Sequence, residues 1–399
     1  MLPLHTHGRF TGAPLPYPVK VLTLQEALTC SYPPDRVFID LRKEGAAVDK
    51  SALAEVGFGG FVELKPAEKE NASRTLHSLR LQAVVAPGDV IRIRPNGQSS
   101  VLYRRDANAN TLFVTERCNS HCLMCSQPPR DTDDSWRISE ILELIPLIDQ
   151  GLAQLGITGG EPTLLGPDLK RILNAVKSEL PSTALHILTN GRRFADSALV
   201  DEMEIGVGRV QWAIPLYADT AARHDYIVQS EGAFRQTLNG IYNLAERHHS
   251  IEIRMVLHKA TVGRLKAFAE FLYRNMPFVD HVAMMGLEPM GYAKANRDAL
   301  WIDPLNYVDE LTDAVWYLHD RGIRTSIYNT PLCVLPRSVW RFAQKSISDW
   351  KNVFSDECSD CSVNEQCGGF FKSAGPNWKS RGIRSISGEE ADEKLVAIS

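Results

Sequence analysis

Six short apolar segments, spaced along residues 111–287, constrain the fold of this 399-residue chain most strongly. Each has the length of a buried strand, and helix-period segments lie between them, as the spacing of Phe234, Leu238 and Ile241 illustrates. The predicted strands are residues 111–115, 153–158, 185–189, 210–216, 251–257 and 281–287. Strands that alternate with helices favour a parallel sheet covered by helices, which is an α/β domain.

The flanking regions differ from this α/β core. Residues 1–105 contain short β-rich runs, and Asn96-Gly97 between two of them predicts a hairpin, so we expect a small β-rich or α+β N-terminal domain. The core is assigned to residues 106–300, a helix and a second cysteine-bearing domain to 301–375, and a polar tail to 376–399. Within the core, a helix is predicted to begin at a Ser139 cap and to bend at Pro146.

Composition excludes few classes of protein, and it gives no indication of a nucleic-acid or membrane partner. The net charge is −4, and no block of Lys and Arg predicts binding to nucleic acid or to a membrane surface. No apolar run approaches the length of a membrane span, and the first residues lack the layout of a signal peptide. We therefore expect a cytoplasmic protein.

The residues with the most distinctive chemistry follow the predicted strands. A cysteine group follows the first strand, Gly159-Gly160-Glu161 follows the second, and Asn190 follows the third. The carboxyl ends of parallel strands lie at one edge, where loops diverge around a ligand. The sequence therefore predicts one binding pocket at that edge.

Cys118, Cys122 and Cys125 form a CxxxCxxC motif in the loop after the first strand. Three thiolates this close can hold three corners of an iron–sulfur cube, which leaves one iron open to a small molecule. The alternative is a zinc site with His121 or a distant group as fourth ligand, although a ring between two cysteines is expected to point away from their metal. In a reducing compartment, disulfides are not expected.

A second group consists of Cys333, Cys358, Cys361 and Cys367. Four thiolates complete a closed metal site, and by themselves they fit structural zinc as well as iron–sulfur. Cys30 stands alone in the sequence and is interpreted as a small buried side chain.

CxxxCxxC after the first strand and Gly-Gly-Glu-Pro after the second resemble the radical S-adenosylmethionine (SAM) superfamily. The resemblance implies a partial (β/α)6 barrel, a [4Fe-4S] cluster held by the three cysteines, and SAM bound to its open iron. It implies that Gly159, Gly160 and Glu161 bind the amino group of SAM. Arg254 on the fifth strand resembles the arginine that pairs with the SAM carboxylate, with an ordinary ion pair as the alternative, and Asn190 is a further candidate.

Two positions depart from the superfamily pattern. Met124 stands before the last cluster cysteine, where an aromatic residue is common. The fourth strand ends in Ile214-Pro215-Leu216-Tyr217, without the serine that often binds ribose. Tyr217 or Asp219 is the candidate substitute for that serine.

The second cysteine group resembles the auxiliary-cluster extensions called SPASM and twitch domains, which implies a second [4Fe-4S] cluster in preference to zinc. The sequence of residues 85–375 around these cysteines is similar to that of the C-type radical SAM maturases of His-Xaa-Ser peptide systems. That similarity implies a ribosomally made precursor peptide as substrate and a second radical SAM protein as partner. Flavodoxin or ferredoxin would be the reductant.

The implied reaction is reductive cleavage of SAM to a 5′-deoxyadenosyl radical, which abstracts hydrogen from the peptide. No side chain stands out as a general acid or base, so the catalytic residues are left unassigned. Two alternatives remain open: a radical SAM enzyme that acts on a small molecule or nucleoside in cofactor biosynthesis, and a non-catalytic scaffold stapled by zinc.

Overall fold

The structure is a computed structural model that describes residues 3–44, 48–65, 73–107, 109–203, 210–346 and 351–392. These residues form two compact units. The first unit contains residues up to 114, with residues 133–156 and 171–183, and the second contains residues 115–132, 157–170 and those from 184 onward. The four-part division made from the sequence stays a prediction, and residues 393–399 of its tail lie outside the described residues.

A mixed sheet is the centre of the first unit. Its strands are β1 (His5–His7), β2 (Arg9–Thr11), β3 (Val19–Thr23), β4 (Val37–Asp40), β5 (Gly60–Glu63), β6 (Thr75–His77), β7 (Val90–Ile93) and β8 (Gln98–Tyr103). The strand order is β1-β8-β7-β3-β4-β5-β6-β2. Strands β3 to β6 are parallel neighbours, whereas β7 pairs antiparallel with β3 and with β8.

The hairpin predicted at Asn96-Gly97 is confirmed, since β7 and β8 pair antiparallel across it. Gly97 has a φ of +83°, and a Cβ there would lie 2.1 Å from the carbonyl oxygen of Gly8. Glycine is therefore required at this turn for both its conformation and its lack of a side chain. Val21, Phe38 and Ile91 are among the fully buried residues that the sheet presents to its core.

The first unit also contains α1 (Leu24–Thr29), α2 (Lys50–Glu55), β9 (Asn110–Phe113) and α3 (Trp136–Leu144). The predicted cap of α3 was wrong, because Ser135 precedes the first helical residue and Ser139 lies inside the helix. The apolar periodicity located the helix but not its first turn. Pro146 acts as expected, since the α-helix ends at Leu144 and a 3₁₀ turn follows over Ile145–Leu147. The chain then continues through β10 (Gln154–Thr158) and α4 (Pro167–Glu179).

The second unit is built on parallel strands. These are β11 (Ala184–Leu188), β12 (Val210–Pro215), β13 (Ser250–Leu257), β14 (His281–Gly286), β15 (Thr325–Tyr328) and β16 (Ala343–Gln344). Each pairs in parallel with the next along the chain. All six strands predicted from the sequence are present as β9 to β14, and the α/β class is confirmed.

Helices follow the strands of the second unit. They are α5 (Ser197–Met203), α6 (Ala221–Val228), α7 (Ala233–Glu246), α8 (Lys259–Val262), α9 (Leu265–Asn275), α10 (Tyr292–Ala295), α11 (Arg297–Leu300), α12 (Val308–His319) and α13 (Gly388–Asp392). Buried Ile241, Phe268 and Val315 show that the apolar stripes of α7, α9 and α12 face the core, as their spacing predicts. Within the described residues, no helix has the length and apolar character that crossing a membrane requires.

The parallel direction of β11 to β15 brings their carboxyl ends to one edge. Asn190, Tyr217, Glu288 and Asn329 each lie one or two residues beyond a strand end. Polar side chains from distant parts of the sequence are therefore gathered at that edge.

Candidate active site

A cavity opens at the carboxyl edge of the second unit. Its volume is about 300 Å³, which lies at the lower end of the ~300–1000 Å³ common for small-molecule pockets. The predicted site residues that line it are Cys118, Cys122, Cys125, Gly159, Gly160, Asn190, Tyr217 and Arg254. One cavity thus brings together eight of the ten candidates for holding the first cluster and SAM, and Glu161 and Asp219 do not line it.

Backbone contacts fix the cysteine loop. The amide of Cys125 donates to the carbonyl of Cys122 at 3.0 Å, which closes a turn between two of the thiols. The amides of His121 and Leu123 donate to carbonyls of α6, and the amide of Tyr292 donates to the carbonyl of Cys125. His121 is exposed and does not line the cavity, as expected for a ring that points away from the cysteines.

The three thiols are neutral groups until a metal replaces their protons. Burial raises the pKa of Cys118 to about 11, and the charge of Glu161 adds to the effect. Burial and the neighbouring cysteines raise the pKa of Cys122 to about 12, and burial also raises that of Cys125. Soft sulfur donors of this kind fit an iron–sulfur centre, whose binding releases their protons.

The Gly-Gly edge is packed against the cysteine loop. A Cβ on Gly159 would lie 2.5 Å from the carbonyl oxygen of Thr115. A Cβ on Gly160 would lie 2.2 Å from the carbonyl oxygen of Arg117 and 3.1 Å from Cβ of Cys118. No side chain fits at either position, so glycine is required at both for this edge to pack against the cysteine loop.

Glu161 lies beneath that edge and does not line the cavity. Its side chain is fully buried. Its Oε1 accepts from the hydroxyls of Thr163 and Thr189, each at 2.6 Å, and its Oε2 accepts from the backbone amide of Asn190, also at 2.6 Å. The sequence suggested a direct contact between this carboxylate and SAM, which stays a prediction. Its present partners favour a role in holding Thr189 and Asn190 in place.

Arg254 points into the cavity from β13 and is held from behind. Its Nη1 donates to Oε1 of Glu252 at 2.7 Å. Burial alone would raise the pKa of Glu252, but hydrogen bonds from His186 and His281 and the charge of Arg254 hold it well below its ordinary value. Glu252 therefore stays a carboxylate that keeps the guanidinium oriented, and Nη2 of Arg254 donates to Sδ of Met285 at 3.5 Å.

Asn190 and Tyr217 occupy the cavity wall between the cysteines and Arg254. The side-chain Nδ2 of Asn190 donates to Oδ1 of Asn119 at 2.6 Å. Burial raises the pKa of Tyr217 well above its ordinary value, so its hydroxyl stays protonated and can donate to a ligand. Asp219 instead receives two hydrogen bonds from Arg264 and does not line the cavity, which leaves Tyr217 as the candidate for ribose.

The backbone that carries Tyr217 depends on a neutral histidine. Nδ1 of His224 accepts from the Tyr217 amide at 3.2 Å, and Nδ1 of His258 accepts from the Ala260 amide at 3.2 Å. Burial lowers the pKa of both histidines to about 4. Protonation would remove each acceptor and place a charge in the core.

We therefore expect the protein to lose stability as the pH falls from about 6.5 towards 4, because the unfolded chain takes up protons that the folded chain refuses. Between pH 7 and pH 5 each histidine should cost about 2 kcal/mol of unfolding free energy. Urea unfolding at both pH values measures this loss of unfolding free energy. The variant His224→Asn/His258→Asn keeps a hydrogen-bond acceptor at each position but does not titrate, so its unfolding free energy should fall less than that of the wild type. An equal loss in both proteins would contradict the assignment.

The four cysteines of the second group are brought together. Cys333, Cys358, Cys361 and Cys367 line one small cavity with Phe354 and Ile386. The amides of Leu332 and Gly369 both donate to Sγ of Cys367 at 3.4 Å, as backbone donors do around cluster sulfurs. This donor set fits a four-cysteine metal centre, and its assignment to a [4Fe-4S] cluster in a SPASM- or twitch-like extension stays a prediction.

Among the residues that the structure describes, no three His, Cys, Asp or Glu side chains are gathered around one point as ligands of a single ion.

Sequence reasoning assigned no role to several polar residues of the cavity, among them Glu288, Asn329 and Lys351. The sequence did place Glu288 at the carboxyl edge, because Glu288-Pro289 follows the sixth strand, but Asn329 follows a strand that was not predicted. Lys351 had no distinguishing signal. Only the fold shows that these residues share a wall.

Comparison with known proteins agrees with the geometry. Residues 112–272 match the model of the family described as the Radical SAM superfamily. This part of the chain is a radical SAM domain. It contains the CxxxCxxC loop, the Gly-Gly edge and Arg254, and the resemblance noted in the sequence is confirmed. Radical SAM proteins bind a [4Fe-4S] cluster and SAM.

The curated relatives that the chain matches have more than one activity. A stretch of 197 residues is 26% identical to GTP 3′,8-cyclase of Desulforamulus reducens and covers 47% of this chain and 58% of that protein. A stretch of 166 residues is 24% identical to sporulation killing factor maturation protein SkfB of Bacillus subtilis and covers 40% and 38%. The matched segments thus span about half the length of these relatives or less.

Among solved structures, the chain is similar to Streptococcus suis SuiB bound to S-adenosylmethionine. The TM-score is 0.45 at 14% identity, over 63% of this chain and 55% of that chain.

Proposed function

We propose that this chain is a radical SAM enzyme that modifies a ribosomally synthesised peptide of the His-Xaa-Ser type by hydrogen abstraction. The observation that supports it most is the single cavity in which three cysteines, the Gly-Gly edge and Arg254 face one another. When bound and reduced, the [4Fe-4S] cluster supplies the electron that cleaves SAM to a 5′-deoxyadenosyl radical.

The residues of the chain have separate roles in this proposal. Cys118, Cys122 and Cys125 hold the cluster. The backbone at Gly159 and Gly160 accepts hydrogen bonds from the SAM ammonium, and Arg254, oriented by Glu252, pairs with the carboxylate.

The wall of the cavity also limits access of water to the radical. Apolar side chains that line it include Met124, Leu188, Val256, Met285 and Leu287. Met124, at the position where relatives often have an aromatic residue, is buried and lines the cavity beside the cysteines. These side chains exclude water and reactive groups from the space in which hydrogen is abstracted.

The similarity to a GTP cyclase makes a nucleotide the second candidate substrate, and the charges of the cavity argue against it. Among the described residues that line it, Arg254 and Lys351 are the cations. Arg254 is paired with Glu252 at 2.7 Å and Lys351 with Glu288 at 3.1 Å. A triphosphate needs several unpaired cations or a metal, whereas a peptide does not. The similarity to a peptide maturation protein favours the peptide.

The test uses the protein reconstituted under anaerobic conditions with SAM and a reductant. We expect a peptide with His-Xaa-Ser repeats to change in mass and to increase 5′-deoxyadenosine formation. A scrambled peptide of the same composition is the matched control and should remain unchanged. Consumption of GTP in place of the peptide would overturn the proposal. Dependence on flavodoxin or ferredoxin, and on a second radical SAM protein, can be measured in the same assay.

A further inference from the structure

One wall of the cavity carries polar groups that the roles assigned above do not use. Glu288 follows β14, Asn329 follows β15, and Lys351 comes from the segment beyond β16. Nζ of Lys351 lies 3.1 Å from Oε2 of Glu288, with side chains 25% and 15% exposed. The pair is withdrawn from bulk solvent and lies within the cavity rather than on the surface.

Asn329 contributes one sign of a binding role. Its Oδ1 is buried and has no hydrogen-bond partner among the residues that the structure describes. Its backbone has a φ of +56°, in the left-handed region that asparagine adopts more readily than most residues. A Cβ on Gly286 would lie 2.5 Å from the carbonyl oxygen of Asn329, so glycine at 286 permits the approach. An unpaired buried acceptor costs free energy, and such groups are found at sites that bind ligands.

The chemistry of the wall defines what it can hold. The Lys351 ammonium has three N–H donors and one carboxylate partner, and Glu288 retains acceptor capacity. Oδ1 of Asn329 is an acceptor with no partner in the described part of the chain. The ring of Phe371 lies 5.7 Å from Nζ of Lys351 and, with Leu287, adds an apolar surface. Because the charges of Lys351 and Glu288 cancel, a charged ligand would oppose one of them, whereas a neutral group that donates and accepts can use both.

We propose that Glu288, Asn329 and Lys351 form the subsite for a neutral side chain of the substrate peptide that both donates and accepts hydrogen bonds. Imidazole and hydroxyl groups have this character, and a flat ring would also pack against Phe371. The inference rests on the proposed peptide function. It names the residues that determine which peptide side chain enters the cavity.

The test is a change of specificity measured as peptide affinity of the cofactor-loaded protein under anaerobic conditions. Five peptides are compared: the His-Xaa-Ser peptide, and versions with His or Ser replaced by Lys or by Asp. Lys351→Met leaves the Glu288 carboxylate unbalanced, and should bind the parent about tenfold more weakly but one of the Lys peptides more tightly than the wild type does. Glu288→Gln leaves the ammonium unbalanced and should favour an Asp peptide.

Lys379→Met is the matched control. Lys379 is also paired with a glutamate, Glu357 at 3.5 Å, and also lies near a phenylalanine ring, Phe370 at 5.9 Å, but it does not line the cavity. The affinities of the Lys379→Met variant for the five peptides should stay within about twofold of those of the wild type. Tighter binding of a charged peptide cannot come from misfolding, so the switch remains a fair test even if a variant is less stable.

The outcomes separate the subsite from the function. If both variants bind the parent peptide with wild-type affinity and neither prefers a charged peptide, the proposed subsite is overturned and the peptide function remains intact. If the wild-type protein binds none of the five peptides, the proposed function fails and the subsite fails with it.

Discussion

Replacement of Cys118, Cys122 and Cys125 by alanine is expected to lower SAM cleavage by at least about 1000-fold, which is loss within detection. The three thiols line the cavity beside the Gly-Gly edge, and each is the ligand of a separate iron in the proposed cluster. If the second cysteine group, which lies in another cavity, holds the cluster predicted for it, iron per chain should fall from about eight to about four. Iron, acid-labile sulfide and 5′-deoxyadenosine measure these effects.

Cys30→Ala is the matched control. Cys30 is partly buried in the first unit, and its Sγ donates to the carbonyl of Ala27. Its replacement should leave iron content and SAM cleavage within about twofold of the wild type. A triple variant that still cleaves SAM at the wild-type rate would exclude these cysteines as the ligands.

Gly160→Ala is expected to lower SAM cleavage by about 100-fold or more. The added Cβ would lie 2.2 Å from the carbonyl oxygen of Arg117, well inside van der Waals contact. That carbonyl belongs to the residue before Cys118, so relief of the clash displaces a cluster ligand. Overpacking against backbone costs roughly 1–3 kcal/mol in stability as well. SAM affinity, iron content and thermal unfolding should all be affected.

Gly263→Ala provides the comparison for this substitution. A Cβ on Gly263 meets nothing within 4 Å, and its φ of −67° suits any residue. Activity and stability should remain close to the wild type. If Gly160→Ala retained full activity and iron content, the close packing of the Gly-Gly edge against the cysteine loop would have no functional importance.

The parts of this molecule that follow from sequence are those encoded by local periodicity and by short spacings. Strands β9 to β14 were predicted because buried parallel strands are short apolar runs, and the stripe of α7 because its apolar residues recur every three to four positions. CxxxCxxC and Gly-Gly-Glu are contiguous, so their chemistry is visible without a fold. Their convergence in one cavity followed from the rule that parallel strands end at one edge.

Other features depend on contacts that no local pattern encodes. Glu161 is a charged residue in a recognised motif, yet its carboxylate accepts hydrogen bonds from Thr163, Thr189 and Asn190, which only the fold brings together. The pairing of Glu288 with Lys351 joins residues far apart in the chain. Strand β16 has two residues and gives no periodic signal, so this part of the sheet was missed.

The central claim is that the cavity holds a cluster able to cleave SAM, and the most direct test is 5′-deoxyadenosine formation by the wild-type protein after anaerobic reconstitution. We expect a brown protein that contains iron and acid-labile sulfide and forms 5′-deoxyadenosine only when both SAM and a reductant are present. A colourless protein that contains zinc, lacks sulfide and forms no 5′-deoxyadenosine would contradict the claim and indicate a scaffold stapled by zinc.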